Sequence, residues 1–293
     1  MAGIASIDGT IVPLEAAQVS VLDRGFLYGD AVFEALRTYR GKADALEQHL
    51  TRLEHSCSIV GIALGMSRAA LAGEIERAIA AVDSPERYLR IMITRGDLPE
   101  SLPPAGAGPA RRVIIVRPLP SGHTALYDQG LRVVSTAAPT SPLWAGAKPS
   151  AYLNNVLAVG RAQASGADDA LLLGAYGELL EGATSSAFLV KDGAIYTPPL
   201  ALGILPGITR DRVLACAASS GVSARERLLH IHDVYQADEL FLTSSVRLVV
   251  AVVEVDGMRI GSGAPGPITQ RMAAVYRAEI ERLGAAPGHS RRA

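Results

Sequence analysis

The stretch PLWAGAKPSAYL, residues 142–153, decides the reading, because it sets a single lysine, Lys148, among residues that carry hardly any other charge. The chain has only three lysines, Lys42, Lys148 and Lys191, so nearly all of its 28 Lys+Arg are arginines. Lys42 and Lys191 stand in Gly-containing hairpin turns, Tyr39-Arg40-Gly41-Lys42 and Lys191-Asp192-Gly193, where a solvated ammonium is the ordinary outcome. An amine set among apolar residues suits a nucleophile, and a Schiff base is its obvious use. A lysine can also snorkel out of an apolar loop, so the setting alone leaves both readings open.

Working outward, a lysine Schiff base suggests pyridoxal phosphate, which needs a phosphate cradle and a carboxylate for its ring nitrogen. Leu205-Pro206-Gly207-Ile208-Thr209-Arg210 is a Gly turn opening a helix. The N–H groups of Ile208 and Thr209 and the Thr209 hydroxyl suit a phosphate at the positive helix end, although many helices begin this way by ordinary capping. Glu181, in LLEGATSSAF (179–188), follows an apolar pair and precedes a glycine. A pyridinium partner explains that placement; a strand-end glutamate in a hairpin is the plainer alternative.

The flanking pattern predicts an α+β N-terminal half. A turn at Ile7-Asp8-Gly9-Thr10, a strand over 32–39, helices over 46–59 and from the N-cap Ser67 through Ala81, and strands over 87–94 and 113–117 make up residues 1–117. GDLPESLPPAGAGP, within 96–109, has the Pro and Gly content of an irregular active-site loop, and 118–123 reads as an interdomain linker. In 124–283 strands are expected near 131–135, 170–173, 186–190, 194–197, 239–243 and 249–255, with helices over 153–164, 209–218 and 267–283. Residues 284–293 read as a frayed tail.

Of the 293 residues, 49% are hydrophobic and 19% charged, which supports buried cores and excludes wholesale disorder. A net charge of −1 leaves no electrostatic footprint for nucleic acid or an anionic membrane. No apolar run is long enough for a membrane span, and the N-terminus MAGIASIDGTIVPL lacks the basic and apolar regions of a signal peptide, so a cytoplasmic protein is expected. Cys57 and Cys216 stand alone in helical contexts as buried thiols. His230 and His232 could share one face of a strand, but without a third ligand they are read as structural and no metal is expected.

Together these blocks resemble the class IV, fold-type IV pyridoxal-phosphate enzymes: branched-chain and D-amino acid aminotransferases and 4-amino-4-deoxychorismate lyases. The resemblance runs from about Ser20 to Val255 through DRGFLYGDAVFEALRTYRG (23–41), HLTRL (49–53), RYLRIMITRG (87–96), AKPSAYLNNVLA (147–158), EGATSSAF (181–188), LPGITR (205–210) and ADELFLTSS (237–245). It implies a two-domain α/β (α+β) fold, with a smaller N-terminal α+β domain and a larger C-terminal domain built on a mixed sheet or barrel. It further implies Lys148 as the aldimine lysine and proton shuttle, Arg52 on the phosphate, Tyr152 on the cofactor 3′-oxygen and Glu181 on the ring nitrogen. Ile208, Thr209 and Ser245 match the remaining phosphate contacts, while Tyr28, Phe33, Ala35, Tyr88 and Arg90 lie near the substrate. Arg52 could otherwise be a surface helix arginine, and the aromatics plain core.

Three positions depart from the family pattern: Pro149 after the lysine, Ala151 before Tyr152, and Ala187 after the Ser pair. These departures are expected to remove side-chain hydrogen bonds around the cofactor. Transamination between an amino acid and a 2-oxo acid is the expected reaction. Arg90 is the expected cation for the carboxylate; Arg24 and Arg95 compete, the first read as a salt bridge to Asp23 or Asp30, the second as facing away on a straight strand. Tyr88-Leu89-Arg90 resembles the branched-chain pattern, whereas Thr184-Ser185-Ser186 and Thr94-Arg95-Gly96 favour the D-amino acid and lyase branches. The expectation is a D-amino acid preference, with aminodeoxychorismate lyase and L-branched-chain transamination as alternatives. The resemblance also implies a homodimer in which Tyr28 and the 96–109 loop complete the neighbouring pocket.

Overall fold

A computed structural model describes residues 3–97, 102, 107–120, 124–138 and 142–285. Strands β1 (Ile4–Ile7), β2 (Thr10–Pro13), β3 (Ala31–Tyr39), β4 (Lys42–Ala43), β5 (Arg87–Thr94) and β6 (Arg111–Pro118) form an antiparallel sheet in the order β2-β1-β6-β5-β3-β4. Side chains alternate across such a sheet. Val32, Leu36, Leu89, Ile91, Ile93, Ile114 and Val116 therefore share one face, buried against the helices Leu46–Val60 and Arg68–Ala80. The opposite face carries Phe33, Ala35, Tyr88 and Arg90, with Ala35 paired across from Arg90. The helix start expected at Ser67 is confirmed: its hydroxyl accepts from the Ala70 N–H at 3.2 Å.

The larger sheet contains β7 (Leu131–Ala137), β8 (Asp169–Leu173), β9 (Leu179–Gly182), β10 (Ser186–Lys191), β11 (Ala194–Thr197), β12 (Ala224–Glu226), β13 (Glu239–Ser244), β14 (Leu248–Val255) and β15 (Met258–Arg259). Its order is β12-β11-β10-β13-β14-β7-β8-β9, with β15 on β14. It is mixed, because β7 runs parallel to both β14 and β8, and it curls into a half-barrel. Phe188, Val190, Phe241 and Val249 pack under the helices Ile208–Ser219 and Pro267–Ala285, while Leu131, Leu171, Leu189, Leu240 and Val252 form a second core on the other face. The fold is thus the α+β arrangement of a smaller and a larger sheet expected from the sequence. Both cysteines are buried and free.

Several expectations change. His230 and His232 do not lie on a strand. His230 is the N-cap of the short helix Ile231–Tyr235, where the Asp233 carboxylate accepts its backbone N–H at 2.8 Å. A helix, Thr124–Gln129, begins directly after residues 118–123, the strand Arg111–Pro118 takes the first of these, and the last helix continues to Ala285, two residues into the expected tail. Most of the 96–109 loop interior (98–101 and 103–106), linker residues 121–123 and the tail from 286 lie outside the described residues. The loop's base is tied down by Arg111, which pairs with Asp23 at 2.7 Å and Asp97 at 3.0 Å. Among the described residues no helix is long and apolar enough to cross a membrane, and no group of His, Cys, Asp and Glu could hold a metal ion.

Candidate active site

Lys148 lies where the two sheets meet, and its backbone is fixed by the smaller one. The Phe33 N–H donates to the Lys148 carbonyl at 3.0 Å, the Ser150 N–H to the Ala31 carbonyl at 2.7 Å, and the Lys148 N–H to Ser56 Oγ at 3.1 Å. Pro149, between these bonds, sits opposite Val32 in an antiparallel bridge. Residues 148 and 150 make the ladder bonds, so the proline's missing N–H costs none of them. Ala151 packs closely: a Cβ built on Gly29 would lie 3.3 Å from its Cα.

The Lys148 side chain enters a cavity of about 770 Å3. Its Nζ lies 3.2 Å from the Tyr152 hydroxyl and 4.6 Å from the centre of the Phe33 ring, and Phe33 meets Tyr152 edge-on at 5.0 Å. The Arg90 guanidinium stacks on Phe33 at 3.8 Å. Arg52, Glu181, Ile208, Thr209, Ser245, Ala35 and Tyr88 also line this cavity. All but one of the expected site residues therefore converge. The exception is Tyr28, which ends the helix Arg24–Tyr28 exposed and outside the lining.

The electrostatics on the two sides differ. Burial pushes the Glu181 carboxyl up to about 7, against the opposing pull of the Lys148 charge, a Leu205 N–H and the Arg52 charge. A carboxylate left in that position calls for a cation in the cavity. On the other side Arg52, from the helix Leu46–Val60, is gripped by Glu34, with Nε to Oε1 at 2.8 Å and Nη2 to Oε2 at 2.7 Å, and its Nη1 donates to the Pro206 carbonyl at 2.9 Å. Burial opposes ionisation of Glu34, but Arg52 and His49 outweigh it and hold the carboxyl at about 2.

The competing arginines are occupied elsewhere. Arg24 and Arg95 both pair with Asp30 at 2.8 Å, and Arg95 also donates to the Val60 and Gly61 carbonyls. Asp23 is not the partner of Arg24; it caps the Gly25 N–H and pairs with Arg111. Ala187 lies opposite Leu242 in the apolar core, outside the cavity lining, so this departure removes no hydrogen bond from the cavity wall. Glu34, His49 and Ser56 were not singled out from the sequence. The available signal was an acid at the core-facing position of an alternating strand, VFEALRTY, with His49, Arg52 and Ser56 at helical spacing.

A phosphorylated aldehyde cofactor fits these groups. The helix Ile208–Ser219 opens on Gly207 with no side-chain cap, leaving its first N–H groups without intrahelical partners. A Cβ at residue 207 would sit 2.5 Å from Ser186 Oγ and 3.0 Å from the Arg210 Cβ, so a larger residue there would have to displace that hydroxyl. The buried hydroxyls of Ser185 and Thr243 have no hydrogen-bond partner among the described residues, and the Thr209 hydroxyl lies beside Tyr276. Unpaired hydroxyls, a buried carboxylate and an amine lining one cavity suit pyridoxal phosphate.

Residues 31–255 match the amino-transferase class IV family. The chain is 35% identical over 269 residues to a putative branched-chain-amino-acid aminotransferase of Methanocaldococcus jannaschii, covering 91% of this chain and 92% of the relative. It is 32% identical to a D-alanine aminotransferase of Bacillus licheniformis, covering 90% and 93%. A crystal structure of the T.th. branched-chain amino acid aminotransferase complexed with N-(5′-phosphopyridoxyl)-L-glutamate superposes with a TM-score of 0.88 at 29% identity, covering 98% and 96%. The chain belongs to the class IV aminotransferases; it is an enzyme, and its cofactor is pyridoxal 5′-phosphate.

Proposed function

We propose that this aminotransferase exchanges the amino group of an apolar, branched-chain L-amino acid with a 2-oxo acid. The observation that carries the reading is the cavity wall made by β3 and β5, where Phe33, Ala35 and Tyr88 offer apolar surface beside the Arg90 guanidinium. An aliphatic side chain suits the first three and a carboxylate the fourth. The relatives' names weigh in the same direction, away from the D-amino acid preference favoured by the sequence motifs. The D-alanine aminotransferase at 32% identity supports the D-amino acid reading as the second one.

When bound, pyridoxal phosphate supplies the carbonyl that carries the amino group and the ring that accepts electron density. In this reading Lys148 Nζ holds the cofactor in the resting enzyme and moves the proton at the substrate Cα. Tyr152 positions that amine and the 3′-oxygen, Glu181 holds the proton on the ring nitrogen, and Arg52, Ile208, Thr209 and Ser245 bind the phosphate. Segment 118–123 divides a 1–117 domain from a 124–283 domain, with the cavity between them. A half-reaction screen of D- and L-amino acids, aminodeoxychorismate and (R)-amines, followed by the cofactor absorbance, tests the assignment. Bleaching by L-leucine or L-valine well ahead of D-alanine is expected; the reverse order would transfer the assignment to D-amino acids.

A cytoplasmic homodimer is part of the same proposal. Val21, Phe26, Leu27 and Tyr28, in and just before the helix Arg24–Tyr28, and Leu153, Val156 and Leu157 on the helix Leu153–Ala164, are exposed. The close approach of Gly29 to Ala151 makes these two groups neighbours. So much apolar surface in one region is characteristic of an interface, and it would put Tyr28 and the 96–109 loop beside a partner's cavity. Light scattering should give twice the chain mass, and Phe26→Asp should lower it towards the monomer with loss of activity. An active parent monomer would contradict the proposal.

A further inference from the structure

Arg52 has five N–H donors, and three of them are already spent within the protein. Glu34 takes one from Nε and one from Nη2, and the Pro206 carbonyl takes one from Nη1, which leaves two for anything entering the cavity. Glu34 has no solvent exposure, and its Oε2 also meets His49 Nδ1 at 2.7 Å. With Glu34 ionised, His49 must donate through Nδ1. The carboxylate is thus held from two sides, by groups one helical turn apart on Leu46–Val60. A guanidinium free to rotate would present any of its edges; this one presents a single arrangement.

We propose that Glu34, steadied by His49, is a positioning residue that fixes which two N–H groups Arg52 offers to the cofactor phosphate. This rests on the phosphate-binding role given to Arg52 above. Glu34 is not a ligand of the phosphate, since an ionised carboxylate offers it only repulsion. Its contribution is pre-organisation: the guanidinium's rotamer and plane are set before the phosphate arrives, so little ordering remains to oppose binding. The same grip cancels Arg52's positive charge, which makes the cradle a set of aimed hydrogen bonds more than a net cation.

The test compares pyridoxal 5′-phosphate with pyridoxal, which lacks the phosphate, by equilibrium dialysis against the parent, Glu34→Gln, Arg52→Ala and the double variant. Glu34→Gln should weaken pyridoxal phosphate at least about tenfold while leaving pyridoxal within about twofold. The double variant should bind no worse than Arg52→Ala, because Glu34 acts only through that guanidinium. Equal losses for the two ligands, multiplying losses in the double variant, or parent-like affinity in Glu34→Gln would each overturn the proposal. Should Glu34→Gln not fold, His49→Gln, judged folded by its circular dichroism melt, must show a smaller loss of the same phosphate-specific kind; an unchanged affinity would overturn the proposal as well. If Arg52→Ala itself retains pyridoxal phosphate like the parent, the cradle assignment fails, a result distinct from failure of the positioning role alone.

Discussion

Lys148→Ala is expected to abolish transamination, lowering the rate of the half-reaction by at least about 10^4-fold, at the upper end of what a positioned acid–base group supplies. The fold should survive. The two hydrogen bonds made by the residue 148 peptide use backbone atoms, and among the described residues the only hydrogen bond of Nζ is to the Tyr152 hydroxyl. A circular dichroism melt close to that of the parent would separate loss of the amine from loss of structure. Borohydride treatment of the parent, followed by peptide mapping, should label Lys148. Lys191 is held by Asp238 at 2.9 Å on the surface and should remain unlabelled. Label there, or substantial turnover by Lys148→Ala, would remove Lys148 from the chemistry.

Glu181→Gln should retain the cofactor and slow Cα proton removal by about 10^2-fold, since a neutral amide cannot hold a proton on the ring nitrogen as a carboxylate does. An unchanged half-reaction rate would indicate a different ring partner. The apoprotein supplies an independent readout. Burial raises the Glu181 carboxyl from its ordinary value to about 7, so between those values the folded chain binds a proton that the unfolded chain has released. The contribution of this group to stability is therefore present below the ordinary carboxylate range and is lost as pH rises towards 7 and beyond. Between about pH 5 and pH 8 the apo parent should lose more melting temperature than apo Glu181→Gln. Identical pH profiles would mean that the carboxyl is not desolvated.

Much of the fold was legible because its elements are periodic. The strand expected at 87–94 and the helix at 153–164 agree with Arg87–Thr94 and Leu153–Ala164, in each case a run of one consistent pattern bounded by turn residues or a cap. The short elements were harder to read. Ile231–Tyr235 is a single helical turn whose start depends on the Asp233 cap, and two histidines spaced by two residues imitate a strand face. That the cavity residues share one site was implied by the resemblance to the class IV enzymes, motif by motif, and not by any local pattern in the sequence. What pairs with what across the cavity was not readable. Glu34 and Arg52 are eighteen residues apart, and their contact depends on β3 packing under the helix Leu46–Val60. Likewise Ala187 looked like a lost ligand from its place beside the Ser pair, but strand alternation turns it into the core.

The bridge between Val32 and Pro149 gives the molecule a particular mode of failure. The peptide that carries the reactive amine is part of the seam between the two halves, together with the Arg52–Pro206 and Arg212–Asp44 contacts, so the halves cannot part without displacing that amine. Thermal inactivation should therefore track the rupture of this seam and precede melting of either core, and the enzyme should have no open, intact resting form. A covalent brace across the seam, well away from the cavity, would be the change best placed to lengthen the catalyst's working life at high temperature.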